Sequence, residues 1–165
     1  MEILKTAEQW AKDEVFSSKF FMLFGFIFVL ATIGFWYMGK TDVARAFIYP
    51  TLVAGVFLVI IGAGFFYTNK TRLSNFESTY QENSSAFVKS EIARADKTIK
   101  DYRTIVFKAI PVIIILAALI IAFIDIPIWR AIAITTIALM VCVIFIDSNA
   151  RSRMEAYLYY LISSN

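Results

Sequence analysis

Residues 105–124 read IVFKAIPVIIILAALIIAFI, and after the turn Asp125-Ile126-Pro127, residues 128–146 read IWRAIAITTIALMVCVIFI. At ~1.5 Å rise per residue, helices of about 20 apolar residues match a hydrocarbon core of ~30 Å. Two such segments joined by so short a turn must be antiparallel neighbours. Pro127 suits the first turn of the second helix, where its missing N–H is not needed.

Working outward, two further apolar runs occupy residues 20–38 and 47–67. Lys108 lies inside the third run and Arg130 at the entry of the fourth; the first two runs carry no charge. With 59% hydrophobic residues in 165, composition argues against a water-soluble globule and for one domain spanning residues 1–165. The first run follows Glu2, Glu8, Asp13 and Glu14 and leads into Trp36-Tyr37-Met38 without a small-x-small cleavage pattern. It is expected to remain as a membrane anchor, not to be cleaved as a signal peptide.

Orientation follows from the bases. Only Lys40, Arg45 and Arg130 of the 16 lie at the two short connections; the rest fall in the N-terminal segment, the 68–104 connection, at Lys108, or in the tail. Those regions are expected in the cytoplasm, with both termini. Trp36, Tyr49 and Trp129 then fall at the outer interface, where amphipathic rings are favoured. The net charge of +3 is a membrane-side bias and not a nucleic-acid footprint.

The polar segments are themselves patterned. Leu73, Phe76 and Tyr80 recur at helical spacing, as do Val88, Ile92, Ala95, Ile99, Tyr102 and Val106, and Glu82-Asn83-Ser84-Ser85 interrupts them with turn and cap residues. The spacing predicts a helical hairpin over 68–104 that extends the second and third membrane helices. Ile3, Ala7 and Trp10 give the N-terminal segment an apolar face, and Met154, Tyr157, Leu158, Leu161 and Ile162 give the tail another. These two segments either join a cytoplasmic bundle or lie on the membrane surface. The expected fold is an all-α membrane protein: four transmembrane helices in an antiparallel bundle with helical cytoplasmic extensions.

Several residues carry specific expectations. Gly55 and Gly62, Ala118 and Ala122, and Ala131, Thr135, Ala138 and Cys142 form small-residue faces on the second, third and fourth helices, suited to close backbone approach. Arg94, Lys97, Lys100, Arg103, Lys108 and Arg130 are candidate contacts to lipid headgroups or a partner, although Asp96 with Lys100 and Lys97 with Asp101 can pair along the helix. Lys108 is near enough to the end to snorkel. Pro50 and Pro111 are candidate kinks, each freeing a carbonyl one turn back. Asp125 and Asp147 stand at helix exits, where capping and solvation are the expected roles.

With no histidine and one cysteine, Cys142, there is no histidine-ligated haem, histidine base, intrachain disulfide or cysteine-cluster metal site. The carboxylates are scattered singly. No catalytic, cofactor or metal site is expected, and an enzyme is disfavoured. The hydropathy layout is similar to that of several kinds of small bacterial inner-membrane protein, toxin-immunity proteins and accessory subunits among them; hydropathy alone carries no inference to individual residues. The leading expectation is a non-enzymatic protein that acts through a protein partner or self-association amid membrane lipids. An oligomeric pore lined by Thr135, Thr136 or Lys108 is the alternative, and a small transporter the third.

Overall fold

The computed structural model describes residues 2–164, and among these every regular element is helical. In chain order they are α1 (Glu2–Met38), α2 (Asp42–Ala46), α3 (Ile48–Glu82), α4 (Ser84–Thr104), a π-helical turn (Ile105–Ala109), α5 (Ile110–Phe123) and α6 (Pro127–Ser163). Read as continuous rods, Glu2–Met38, Asp42–Glu82, Ser84–Phe123 and Pro127–Ser163 are each long and apolar enough to cross a membrane. Each is roughly half apolar span and half polar extension.

The breaks have local causes. Thr41 caps α2 by accepting from the Ala44 N–H at 3.2 Å. Asn83 is extended, and its side chain accepts from the Ala86 N–H at 2.9 Å, so a single residue reverses the chain between α3 and α4. Pro127 opens α6 as expected. The two candidate kinks resolve differently. Pro50 sits in the first turn of α3, because the helix already breaks at Phe47, and there a missing N–H removes no intrahelical bond. Pro111 follows the π turn, whose closing bond runs from the Ile110 N–H to the Ile105 carbonyl. The wider turn accommodates what a proline would otherwise disrupt.

In the apolar half, α1 and α3 approach most closely. A Cβ added to Gly25 would lie 2.8 Å from the Gly55 carbonyl oxygen, and one on Gly62 would lie 2.8 Å from Met22 Cγ. Only glycine permits these contacts, which supply the van der Waals attraction that lipid cannot. A hydroxyl pair, Thr32 with Thr51 at 2.8 Å, joins the same two helices. Phe21, Leu58 and Ile146 form a small core with Phe24, Phe28, Ile61, Leu139 and Val143, drawn from α1, α3 and α6.

The third span departs from a closed bundle. No Cα of α5 comes within 8 Å of α1 or α3; α5 packs on α6 and the π turn. Its buried residues are Ile110 and Ala117, while Ala118 and Ala122 face outward. Between lipid tails and apolar side chains there is no hydrophobic drive to close the ring, and α5 has neither a glycine seam nor a hydroxyl to draw it in.

The larger core lies in the polar half. Ala7, Trp10, Ala11, Phe76, Phe87, Val88, Ala95, Met154, Tyr157 and Leu161 cluster there, with Ile3, Leu73, Tyr80, Ile92 and Ile99 against them. All four polar extensions contribute, so the first and last segments pack into one core with the hairpin. Phe87 stands edge-on to both Phe76 and Tyr80, with centroids 5.4 and 5.5 Å apart.

Candidate functional site

Against the larger core, and sharing its Trp10 and Tyr157, lies a cluster of charged and hydroxyl groups. From α1 come Trp10, Glu14 and Ser17; from α3, Asn69 and Arg72; from α4, Glu91 and Arg94; from α6, Asp147, Arg153 and Tyr157. Its charges are three arginines and three acids.

Two clasps organise it. Arg153 donates from Nη2 to Glu14 Oε1 at 2.9 Å and to Ser17 Oγ at 2.7 Å, tying α6 to α1. Glu91 is buried on α4 and accepts Nε of Arg94 at 2.9 Å, a second guanidinium nitrogen, and the Tyr157 hydroxyl at 2.9 Å. The Arg94 guanidinium stands 4.1 Å from the Trp10 ring centre, and Trp10 stacks on Tyr157 at 5.4 Å. A fork-shaped cation fits this place because it bonds in its plane and stacks on its face. Arg72 has the Asn69 amide oxygen at 3.1 Å. The Asp147 side chain has no hydrogen bond or ion pair among the described residues.

Burial dominates the electrostatics. It pushes the Glu14 carboxyl above its ordinary range even with Arg153 attached. It also lowers Arg72, with neighbouring Arg94 adding to the effect. Asp147, one residue beyond the apolar run, is pushed up to about 6, by burial first and the Glu14 charge second. Tyr157 is raised by burial and by Glu91, and Tyr102 by burial, Glu14 and Asp147. Proton affinity is therefore raised on three of the four helices. The paired carboxylates are occupied as acceptors, and among the described residues no group of three or more His, Cys, Asp or Glu could hold a metal ion.

The residues singled out from the sequence fall in different places. Arg94, grouped there with outward-facing bases, is instead turned inward, because Glu91 and Trp10 together offer it an ion pair and an aromatic face. Lys97, Arg103 and Lys108 are exposed. Lys100 pairs with Asp96 at 2.6 Å, and Arg130 with Asp125 at 2.8 Å. Gly55, Gly62, Ala131 and Thr135 are buried, Cys142 is half-buried, and Ala138 is exposed. On α5 the contact is carried one residue earlier, at Ala117, a rotation of ~100° from Ala118.

Glu14, Ser17, Glu91, Arg72 and Arg153 were not singled out, and neither was Gly25. One signal was present: Glu91 falls between Val88 and Ala95 on the apolar stripe of α4, and a charge on such a stripe requires a partner.

No family model, curated protein or solved structure matches this chain.

Proposed function

We propose that this chain is a four-span membrane protein, with its polar extensions and both termini in the cytoplasm, that acts without catalysis by presenting a rigid helical bundle to a protein partner. An accessory, inhibitory or immunity-type subunit works in this way. The observation that supports the reading most is the shared core around Trp10, Phe87 and Tyr157, to which all four polar extensions contribute. Helices fixed in register hold their outer side chains in a fixed pattern, which lowers the ordering cost of binding. Glu14 and Glu91 in the layer beneath hold helices together, which supports a structural role for them over a chemical one.

The outer faces of α3 and α4 are the candidate contact surface, with Glu77, Lys89, Ala93 and Lys97 exposed on them. A photo-crosslinking residue placed in turn at each position, in native membranes, tests the reading. A discrete protein adduct from neighbouring positions on one face is the expected result. Absence of adducts from all of them, together with ion flux from liposomes holding the purified protein, would replace this reading with the oligomeric pore.

A further inference from the structure

Where the apolar runs give way to the polar extensions, α1 and α3 are held in register by Phe21 and Phe65, whose ring centres stand 5.6 Å apart. Lys19 lies two residues from Phe21 and Lys70 five from Phe65, both toward the polar half, roughly 3 and 7 Å along the helices. The Lys19 ammonium stands 5.9 Å from the Phe16 ring, on its polar side, and that of Lys70 5.8 Å from the Phe66 ring, on its apolar side. The two cations therefore converge on one level. On α6, Ile146 shares the small core with Phe21, and Arg151, five residues on, holds its guanidinium 4.8 Å from the Phe107 ring of the π turn. Lys108 follows Phe107 directly, and Arg103 stands about one turn before it.

Lys19, Lys70, Arg103 and Lys108 thus come from three of the four rods, each within three residues of the end of an apolar run. At this depth long basic side chains reach the interfacial layer, ~5–7 Å thick on each side of a hydrocarbon core. All four are exposed, and none takes part in an ion pair among the described residues. The sequence supplies little to balance them. Residues 15–76 hold one acid, Asp42, at the far end of the spans, and residues 102–124 hold none. Asp147 on α6 is half-buried, and Glu155 is held by Arg151 at 2.7 Å. The opposite end of the spans differs: Arg130 pairs with Asp125 at 2.8 Å, Arg45 donates to the Gly39 carbonyl at 3.2 Å, and exposed Asp42 lies two residues from Lys40.

We propose that this band is a docking surface for anionic phospholipid headgroups, held by the unpaired cations of Lys19, Lys70, Arg103 and Lys108. A zwitterionic headgroup brings its own cation, so it gains less from the band than a headgroup of net negative charge. One lysine or arginine near such a surface is equivalent to about a fivefold change in association. The inference rests on the four rods spanning a membrane. It is independent of which end faces the cytoplasm and of the protein partner proposed for the outer faces of α3 and α4.

The full-length protein in nanodiscs of mixed phosphatidylglycerol and phosphatidylcholine tests this, with a trace of either lipid carrying a photoactivatable group near its glycerol. Both leaflets of a nanodisc hold the same lipids, so the result does not depend on sidedness. Adducts at residues 16–20, 66–70 and 102–108 should favour the phosphatidylglycerol probe by up to about fivefold, whereas those at 39–46 should show no preference. Lys19→Gln, Lys70→Gln, Arg103→Gln and Lys108→Gln combined should abolish the preference in the band, with helicity by circular dichroism confirming that the variant is folded. Lys40→Gln should leave it unchanged. Equal labelling of the band by the two probes would overturn the proposal, as would a preference that survives the combined variant or one as large at 39–46. A probe with its reactive group at the chain terminus reports the spanning itself: absence of adducts within 20–38 would refute that reading, and the docking surface with it.

Discussion

Arg153 of α6 and Glu14 of α1 are 139 residues apart in sequence and meet at 2.9 Å, where the apolar spans end and the polar bundle begins. Their side chains are 28% and 12% exposed, so the pair is shielded from water without being sealed from it. Arg153→Met should strand the Glu14 carboxylate. Removing one partner of a buried pair costs about 3–5 kcal/mol, and partial exposure of the arginine places this one at or below the lower end. Thermal unfolding in detergent at pH 7.5 should show a clear loss. Glu14→Gln combined with Arg153→Met should recover part of it, because no unpaired charge remains. Equal stability of the single variant and the unmodified protein would show that the clasp holds nothing.

Asp147 gives the layer a pH dependence of defined sign. Its folded pKa, about 6, lies above the unfolded value of 3.8, so the folded state holds the proton more tightly. Stability from this group is therefore lost as pH rises from 3.8 to about 6 and stays low above that. The shift is equivalent to at most about 3 kcal/mol, less after solvent screening. Asp147→Asn should raise the melting temperature at pH 7.5, change it little at pH 4, and flatten the profile between. A variant less stable than the parent at pH 7.5 would contradict the assignment.

The glycine seam can be tested against a glycine in open space. A Cβ on Gly25 would lie 2.7 Å from Val59 Cγ2 and 2.8 Å from the Gly55 carbonyl oxygen, whereas one on Gly64 would meet nothing within 4 Å. Gly25→Ala should force α1 and α3 apart at a cost of about 1–3 kcal/mol. Gly64→Ala should be neutral or stabilising by up to ~1 kcal/mol through helix propensity. Melting curves in detergent distinguish the two; similar losses would show that the seam is not a tight contact.

The polar core should respond to loss of Phe87, which is 3% exposed between Phe76 and Tyr80. Phe87→Ser should cost about 3–5 kcal/mol locally and speed amide exchange across 70–100, with Ser85→Gly in the first turn of α4 having much less effect. Exchange in the unmodified protein as fast as in an unstructured peptide would remove the rigid surface on which the proposed function rests.

Sidedness is open to single-cysteine labelling after Cys142 is replaced. A membrane-impermeant reagent applied from outside should reach Asp42→Cys and should not reach Asn83→Cys or Tyr160→Cys. Labelling at position 83 from outside would invert the proposed orientation.

The sequence by itself determined the four apolar runs, the turns at Asn83 and Pro127, and the apolar stripes of the polar extensions. These are local properties: hydropathy over about 20 residues, helical periodicity, and cap and turn chemistry act within a segment wherever it packs. Tertiary structure alone decided which faces meet. Periodicity marks a face as small or apolar without saying what stands opposite, so Gly55 and Gly62 pack against α1 while Ala118, Ala122 and Ala138 face outward. In lipid this ambiguity is acute, because an apolar face is equally well solvated by a helix or by a tail. The charged layer was less legible still. Glu14 and Arg153 lie at opposite ends of the chain, and a carboxylate's need for a cation is satisfied by whatever the fold brings within about 3 Å, which no spacing along the sequence encodes.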